Sequence, residues 1–143
     1  MNLYDEKDSH YFSTLRKDIL SFLENEKFDH VLEIGAGSGA GLIHLLDNNI
    51  AKKASGIDIT HLDSGFQKDN RIENFWIGNI ETEKFGISDN SFDCIVCADV
   101  LEHLVDPWTM MNQIHAWLKP GGRFILSIPN IREISTMSQI YLR

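Results

Sequence analysis

Hydrophobic and polar positions along the chain change period several times, and the changes mark out alternating strands and helices. From Ser13 onward, Leu15, Ile19, Phe22 and Leu23 recur at helical spacing and share one face. Residues 30–34 are a short apolar run that enters Gly35-Ala36-Gly37-Ser38-Gly39, which predicts a strand ending in a tight turn. Leu42, Leu45 and Leu46 then give a helix its buried stripe. A second strand is expected over 54–59, followed by a polar segment expected to be helical to about residue 71, and a third strand over 75–78. Residues 92–98 are the most apolar run and predict a strand buried on both faces. The next helix has a legible start: Asp106 can cap it, and Pro107 fits the first turn, where its missing N–H costs nothing. Trp108, Met111, His115 and Leu118 recur on one face, and Lys119-Pro120-Gly121-Gly122 stops the helix. Residues 123–128 predict a fifth strand, and 131–143 a helical tail. Residues 1–12 are polar and read as a flexible lead-in to a single core over 13–143.

Strands alternating with helices imply βαβ units and a parallel sheet of about five strands with helices on both faces, an α/β fold. In such sheets ligands bind beyond the carboxyl ends of the strands, near the switch in strand order. The glycine run after the first strand stands where that rule puts a site.

Composition narrows the picture little; charge narrows it more. A chain of 143 residues, 43% hydrophobic, can bury a core as one domain. The net charge of −8, with no basic run, argues against a nucleic-acid partner, which needs clustered Lys and Arg. No apolar stretch approaches the ~20 residues of a membrane helix, and the first residues lack the basic start and apolar run of a secretory signal. A cytoplasmic protein is expected. Cys94 and Cys97 have redox or metal spacing, but three residues apart on a strand they point to opposite faces, so two core thiols are expected.

Two features carry candidate chemistry. Gly35 permits a tight turn and Gly37 lets backbone approach a ligand closely. Gly35, Gly37 and Ala40 also satisfy the dinucleotide spacing G-x-G-x-x-G/A, so the loop alone fits a nicotinamide cofactor or a plain turn as well as other nucleotides. Asp58 ends the second strand about 20 residues on, where a carboxylate can accept hydrogen bonds from a ribose diol. Any adenosine ribose would serve, so Asp58 does not choose between cofactors.

An ordered set of motifs does choose. The segments 31–39 (VLEIGAGSG), 56–58 (GID), 78–81 (GNIE), 91–104 (SFDCIVCADVLEHL) with 106–108 (DPW), and 118–123 (LKPGGR) resemble, in order and spacing, the motifs of class I S-adenosylmethionine-dependent methyltransferases, small Rossmann-like domains. The resemblance runs from Tyr11 to about Ser135. It implies S-adenosylmethionine as the methyl donor. Glu33, Gly35, Ala36 and Gly37 would hold its methionine part and ribose side, and Asp58 the ribose hydroxyls. Ile59 would cover the adenine, and Asn79 and Ile80 would meet its edge. Asp99 and Val100 would lie beside the methionine moiety near the transferred methyl, with Tyr11 and Arg16 contributing from the amino terminus. The family commonly has aspartate at the position of Asn79, which keeps a carbonyl acceptor but loses the charge. It also adds two strands beyond the fifth. The chain ends before them, so a truncated core is expected, with an open sheet edge suited to pairing with a second copy.

A sulfonium methyl is already a good electrophile, so alignment of the acceptor matters more than any universal catalytic residue. Where the acceptor carries a proton at neutral pH, His103 after the fourth strand is the candidate base, with Glu102 a weaker one. His10, His30, His44, His61 and His115 form no ligand-like cluster, so no metal is expected. Residues 127–132 (SIPNIR) resemble the branch associated with glycan biosynthesis, which leaves a small-molecule or glycan acceptor as the expected partner. A nicotinamide-binding oxidoreductase and a cofactor-binding remnant without catalysis are the competing readings.

Overall fold

The structure, a computed structural model, describes residues 15–129. Among them five strands, β1 (Phe28–Ile34), β2 (Ala51–Asp58), β3 (Asn74–Ile77), β4 (Phe92–Ala98) and β5 (Leu118–Ser127), form one sheet. All neighbours pair in parallel, in the order β3-β2-β1-β4-β5. This is the Rossmann-like α/β sheet that the alternating pattern predicts. The order switches between β1 and β4, and there the loops leave in opposite directions and open a crevice.

The helical elements are α1 (Lys17–Leu20), which tightens into a 3-10 turn over Ser21–Leu23, α2 (Ala40–Asp47) and α3 (Pro107–Trp117). They cover both faces, and strand parity assigns the sides. Cys94 and Val96 pack with Val31 against Ile19, Leu20 and Leu23 of the first helical segment and Leu45 of α2. Ile95 and Cys97 pack with Leu32 and Ile34 against Met110, Ile114 and Trp117 of α3. The two cysteines are therefore free core thiols on opposite faces, and burial pushes both pKa values up to about 12. No helix among the described residues is long and apolar enough to cross a membrane.

Four expectations need correction. In the first helical segment Phe22 is 69% exposed and Leu20 takes its place in the core. The 3-10 turn, with about three residues per turn, brings Leu20 and Leu23 into line instead. The segment 59–73 is not helical. Its backbone groups are bonded by side chains: Asp58 accepts from Thr60 N–H, and Gln67 accepts from Leu62 N–H while donating to the carbonyls of Thr60 and Gly37. These local bonds compete with a helical ladder. On α3 the buried face is Met110, Ile114 and Trp117; Trp108 is 80% exposed and His115 is exposed. Both stripes have helical spacing, so periodicity alone could not fix the rotation. The cap itself holds as expected, with Thr109 N–H donating to Asp106 Oδ1 at 3.0 Å. Finally, Lys119-Pro120-Gly121-Gly122 belongs to β5 rather than to a stop, because Leu118 already pairs with Phe92. Pairing resumes at Arg123 with Cys94, and the extra residues form an irregularity in the ladder. Tyr11, the lead-in over 1–12 and the tail over 131–143 lie outside the described residues.

Candidate functional site

The loop after β1 carries the site's backbone. Gly35 N–H and Ala36 N–H both donate to the Ile57 carbonyl, at 2.8 and 3.1 Å, which ties the loop to the end of β2. Gly35 adopts φ +77°, a left-handed conformation that glycine takes without strain. A Cβ there would lie 2.5 Å from Val100 Cγ2, so β4's exit loop passes directly over the glycine. Only a residue without a side chain lets these two strand ends approach so closely.

Two carboxylates flank this loop. Asp58, at the end of β2, accepts from Gly37 N–H at 2.7 Å through Oδ2 and from Thr60 N–H at 2.8 Å through Oδ1. Burial raises its pKa, and the amide bonds pull in the opposite direction. Each oxygen keeps a second lone pair for a ligand hydroxyl. Glu33, near the end of β1, differs in kind. Its Oε2 is shielded from solvent and has no hydrogen-bond partner among the described residues. Burial, with a smaller contribution from the Asp58 charge, raises its pKa to about 8. The α2 backbone crowds it from behind, since a Cβ on Gly41 would meet its carboxyl oxygens at 2.6 and 2.8 Å.

The far wall comes from β3 and β4. Asn79 Oδ1 accepts from Glu81 N–H at 2.8 Å, so its carbonyl shapes a turn with one lone pair left over. Asp99 has φ +54° and is held on both carboxyl oxygens, by Arg16 Nη1 on Oδ2 and by Ser127 Oγ on Oδ1 at 2.9 Å. His103 closes the 3-10 turn Leu101–His103 after β4, half-exposed, with Nε2 3.8 Å from Glu102 Oε1. Together these strand ends enclose a cavity of about 590 Å³. Its lining includes Glu33, Gly35, Ala36, Gly37, Asp58, Ile59, Asn79, Ile80, Asp99 and Val100, with Arg16 and His103. Of the residues expected from the sequence, the cavity lining holds all but two: Glu102, the weaker candidate base, does not line it, and Tyr11 is outside the described residues. Among the described residues no group of three or more His, Cys, Asp or Glu could hold a metal ion.

Sequence reasoning missed two supporting side chains. Gln67 is buried and fastens the Gly37 and Thr60 carbonyls together. Ser127 fixes Asp99 from the neighbouring strand. Neither has a sequence signal, because the bonds that tie them to the site, Gln67 to Gly37 and Ser127 to Asp99, each span 28 or more residues.

The cavity thus offers acceptor oxygens at Asp58, a carboxyl at Glu33 with no hydrogen-bond partner on Oε2 among the described residues, and bare backbone at Gly35. A family model for a methyltransferase domain matches residues 7–141. The chain belongs to that family. Membership implies S-adenosylmethionine as methyl donor and decides against the nicotinamide reading that the glycine spacing left open. This methyltransferase domain is 28% identical over 138 residues to the ubiquinone biosynthesis O-methyltransferase of Xanthomonas axonopodis pv. citri, covering 87% of this chain and 53% of that protein. It is 32% identical over 127 residues to the tRNA U34 carboxymethyltransferase of Nautilia profundicola, covering 83% of this chain and 40% of that protein. The chain thus spans about half the length, or less, of these curated relatives. In fold it matches a SAM-dependent methyltransferase from Archaeoglobus fulgidus with a TM-score of 0.67, over 99% of this chain and 63% of that one, at 18% identity.

Proposed function

We propose that the cavity binds S-adenosylmethionine and presents its methyl group to a small-molecule hydroxyl acceptor. One observation carries this reading: an orphaned buried carboxyl, a glycine-bared backbone and a ribose-ready aspartate share a single cavity at the switch point of the sheet. The residues fit the donor's parts. Asp58 has lone pairs for the ribose diol, and Ile59 and Ile80 offer apolar cover to the adenine beside Asn79. Glu33, and Asp99 as oriented by Arg16 and Ser127, line the cavity where they would receive the end that bears the ammonium and sulfonium charges.

The bound donor supplies an electrophilic methyl. The chain's own contribution is to hold the donor rigidly and exclude water from around it. His103 lies on the cavity wall, next to Leu104 and Val105, where an acceptor hydroxyl can give its proton to the imidazole. A hydroxyl acceptor is favoured because it carries at neutral pH a proton that a wall histidine can take. It also agrees with the O-methyltransferase among the relatives. The net charge of −8 speaks against carrying over the tRNA substrate named for the other relative. A glycan acceptor stays within the same chemistry.

Titration calorimetry with S-adenosylmethionine and S-adenosylhomocysteine tests the donor. Absence of heat with both refutes it. Transfer of labelled methyl to phenolic and sugar hydroxyl acceptors, lost in His103→Ala, tests the acceptor. Donor binding without turnover on any acceptor points to the non-catalytic remnant.

A further inference from the structure

Three strands end on the cavity with a carboxylate, and two of these already have partners on both oxygens. Asp58 is bonded by two backbone amides, and Asp99 by Arg16 and Ser127. Among the described residues Glu33 has neither kind of partner, and its Oε2 is shielded from solvent. Among the described residues, the elements packed around it bring no cation that could compensate. From β2 comes Asp58, whose negative charge makes ionisation harder. From α2 comes the Gly41 backbone, while that helix's titratable groups are engaged elsewhere, His44 with Asn48 and Asp47 with Arg71. Among the described residues, the cavity's remaining charged groups are Arg16, committed to Asp18 and Asp99, Glu81 on the β3 exit loop, and His103 beside Glu102. A buried carboxylate with no donor and no counter-ion is expensive, and the group avoids the cost by keeping its proton.

We infer that Glu33 is a proton-coupled charge selector, a neutral carboxyl in the free protein that gives up its proton when a cationic ligand seats beside it. This rests on the donor reading above and deepens it. A ligand bearing a positive charge close to the Glu33 carboxyl supplies the missing counter-ion, so the carboxylate forms only in the complex and one proton leaves to solvent. A ligand with no positive charge gains nothing from Glu33. One carrying a pyrophosphate would place its negative charge near Asp58 and near a carboxyl that must then stay protonated. Selectivity for cationic adenosyl compounds thus comes from a group that changes its charge state on binding.

Calorimetry in two buffers of different ionisation enthalpy counts the protons. At pH 7, binding of S-adenosylmethionine is expected to release close to one proton. 5′-Methylthioadenosine, which lacks both the ammonium and the sulfonium, is expected to release none. Between pH 5.5 and 7.5, below the range where a ligand amine loses its own charge, donor affinity is expected to rise by up to about tenfold per pH unit. Glu33→Gln, isosteric and fixed neutral, is expected to bind the donor more weakly with a flat pH profile and no proton release. Donor binding that is independent of buffer and pH in the wild-type protein overturns the inference while leaving the donor assignment intact. No binding heat with any adenosyl ligand overturns both. The wild-type measurement needs no variant, so a folding defect in Glu33→Gln does not shelter the inference.

Discussion

Substituting Gly35 by alanine tests the claim that the β1 and β4 exits interlock over the cavity. Two costs add at this position. Alanine at φ +77° incurs the left-handed penalty of roughly 1–2 kcal/mol. Its Cβ would also lie 2.5 Å from Val100 Cγ2, and relieving such a contact in a packed region costs about 1–3 kcal/mol. The clash cannot be dissipated by a long flexible chain, because a β-branched valine has few rotamers available. The sum is about 2–5 kcal/mol. Gly121 is the matched control: its φ is +76°, and a Cβ there meets nothing within 4 Å. Gly121→Ala should therefore cost only the backbone part. Urea denaturation of both variants separates the two terms, since their difference is the steric contribution of Val100. Val100→Ala made in the Gly35→Ala background should recover most of that difference. Donor affinity should fall in Gly35→Ala and be unchanged in Gly121→Ala, which is remote from the cavity. Equal destabilisation by the two glycine substitutions, with no recovery from Val100→Ala, would refute the interlock.

Glu33 makes the free protein's stability depend on pH. Its folded pKa of about 8 lies above the unfolded value of 4.5, so the folded state holds the proton more tightly. The contribution is fully present below pH 4.5 and declines as pH rises to about 8, at up to about 1.4 kcal/mol per pH unit. Glu33→Gln should accordingly match wild type in urea denaturation at pH 4.5 and exceed it at pH 8; a constant difference across that range contradicts the assignment. On α3, Ile114→Ala should destabilise by about 2–5 kcal/mol, while Trp108→Ala should stay within about 0.5 kcal/mol, and a reversed order in thermal melts would show the helix to be rotated. Cys94 and Cys97, buried and with pKa values near 12, should resist a water-soluble thiol reagent in the native protein and react only on denaturation.

What the sequence reveals and hides divides along the range of the interactions. β4 is legible because seven consecutive positions satisfy two faces at once, and the cysteine parity follows from that alone. The α3 cap is legible because Asp106 acts on a residue three positions away. The rotation of α3 is not, since Trp108 and Met110 both start helical stripes and only packing against Leu32, Ile34 and Cys97 selects the second. The segment after β2 fails for a related reason. Its polar residues look compatible with a helix until Gln67 is seen to have three backbone partners waiting, one of them in the glycine loop.

The same division runs through the site. Gly35 and Asp58 could be found because parallel strands deliver their carboxyl ends to one edge, so residues distant in sequence but alike in position converge, while Glu33 and Asn79 come through the family motifs they belong to. Their chemical states could not be found this way. Three carboxylates at three strand ends look equivalent in the sequence, yet backbone amides stabilise one, an arginine and a serine hold the second, and no described residue answers the third. Those partners arrive from as far as 83 residues away. The difference among the three is what turns a generic nucleotide crevice into one that distinguishes a cationic ligand from a neutral one. A protein with these motifs but a fixed cation beside the β1 glutamate should bind adenosyl ligands without that discrimination.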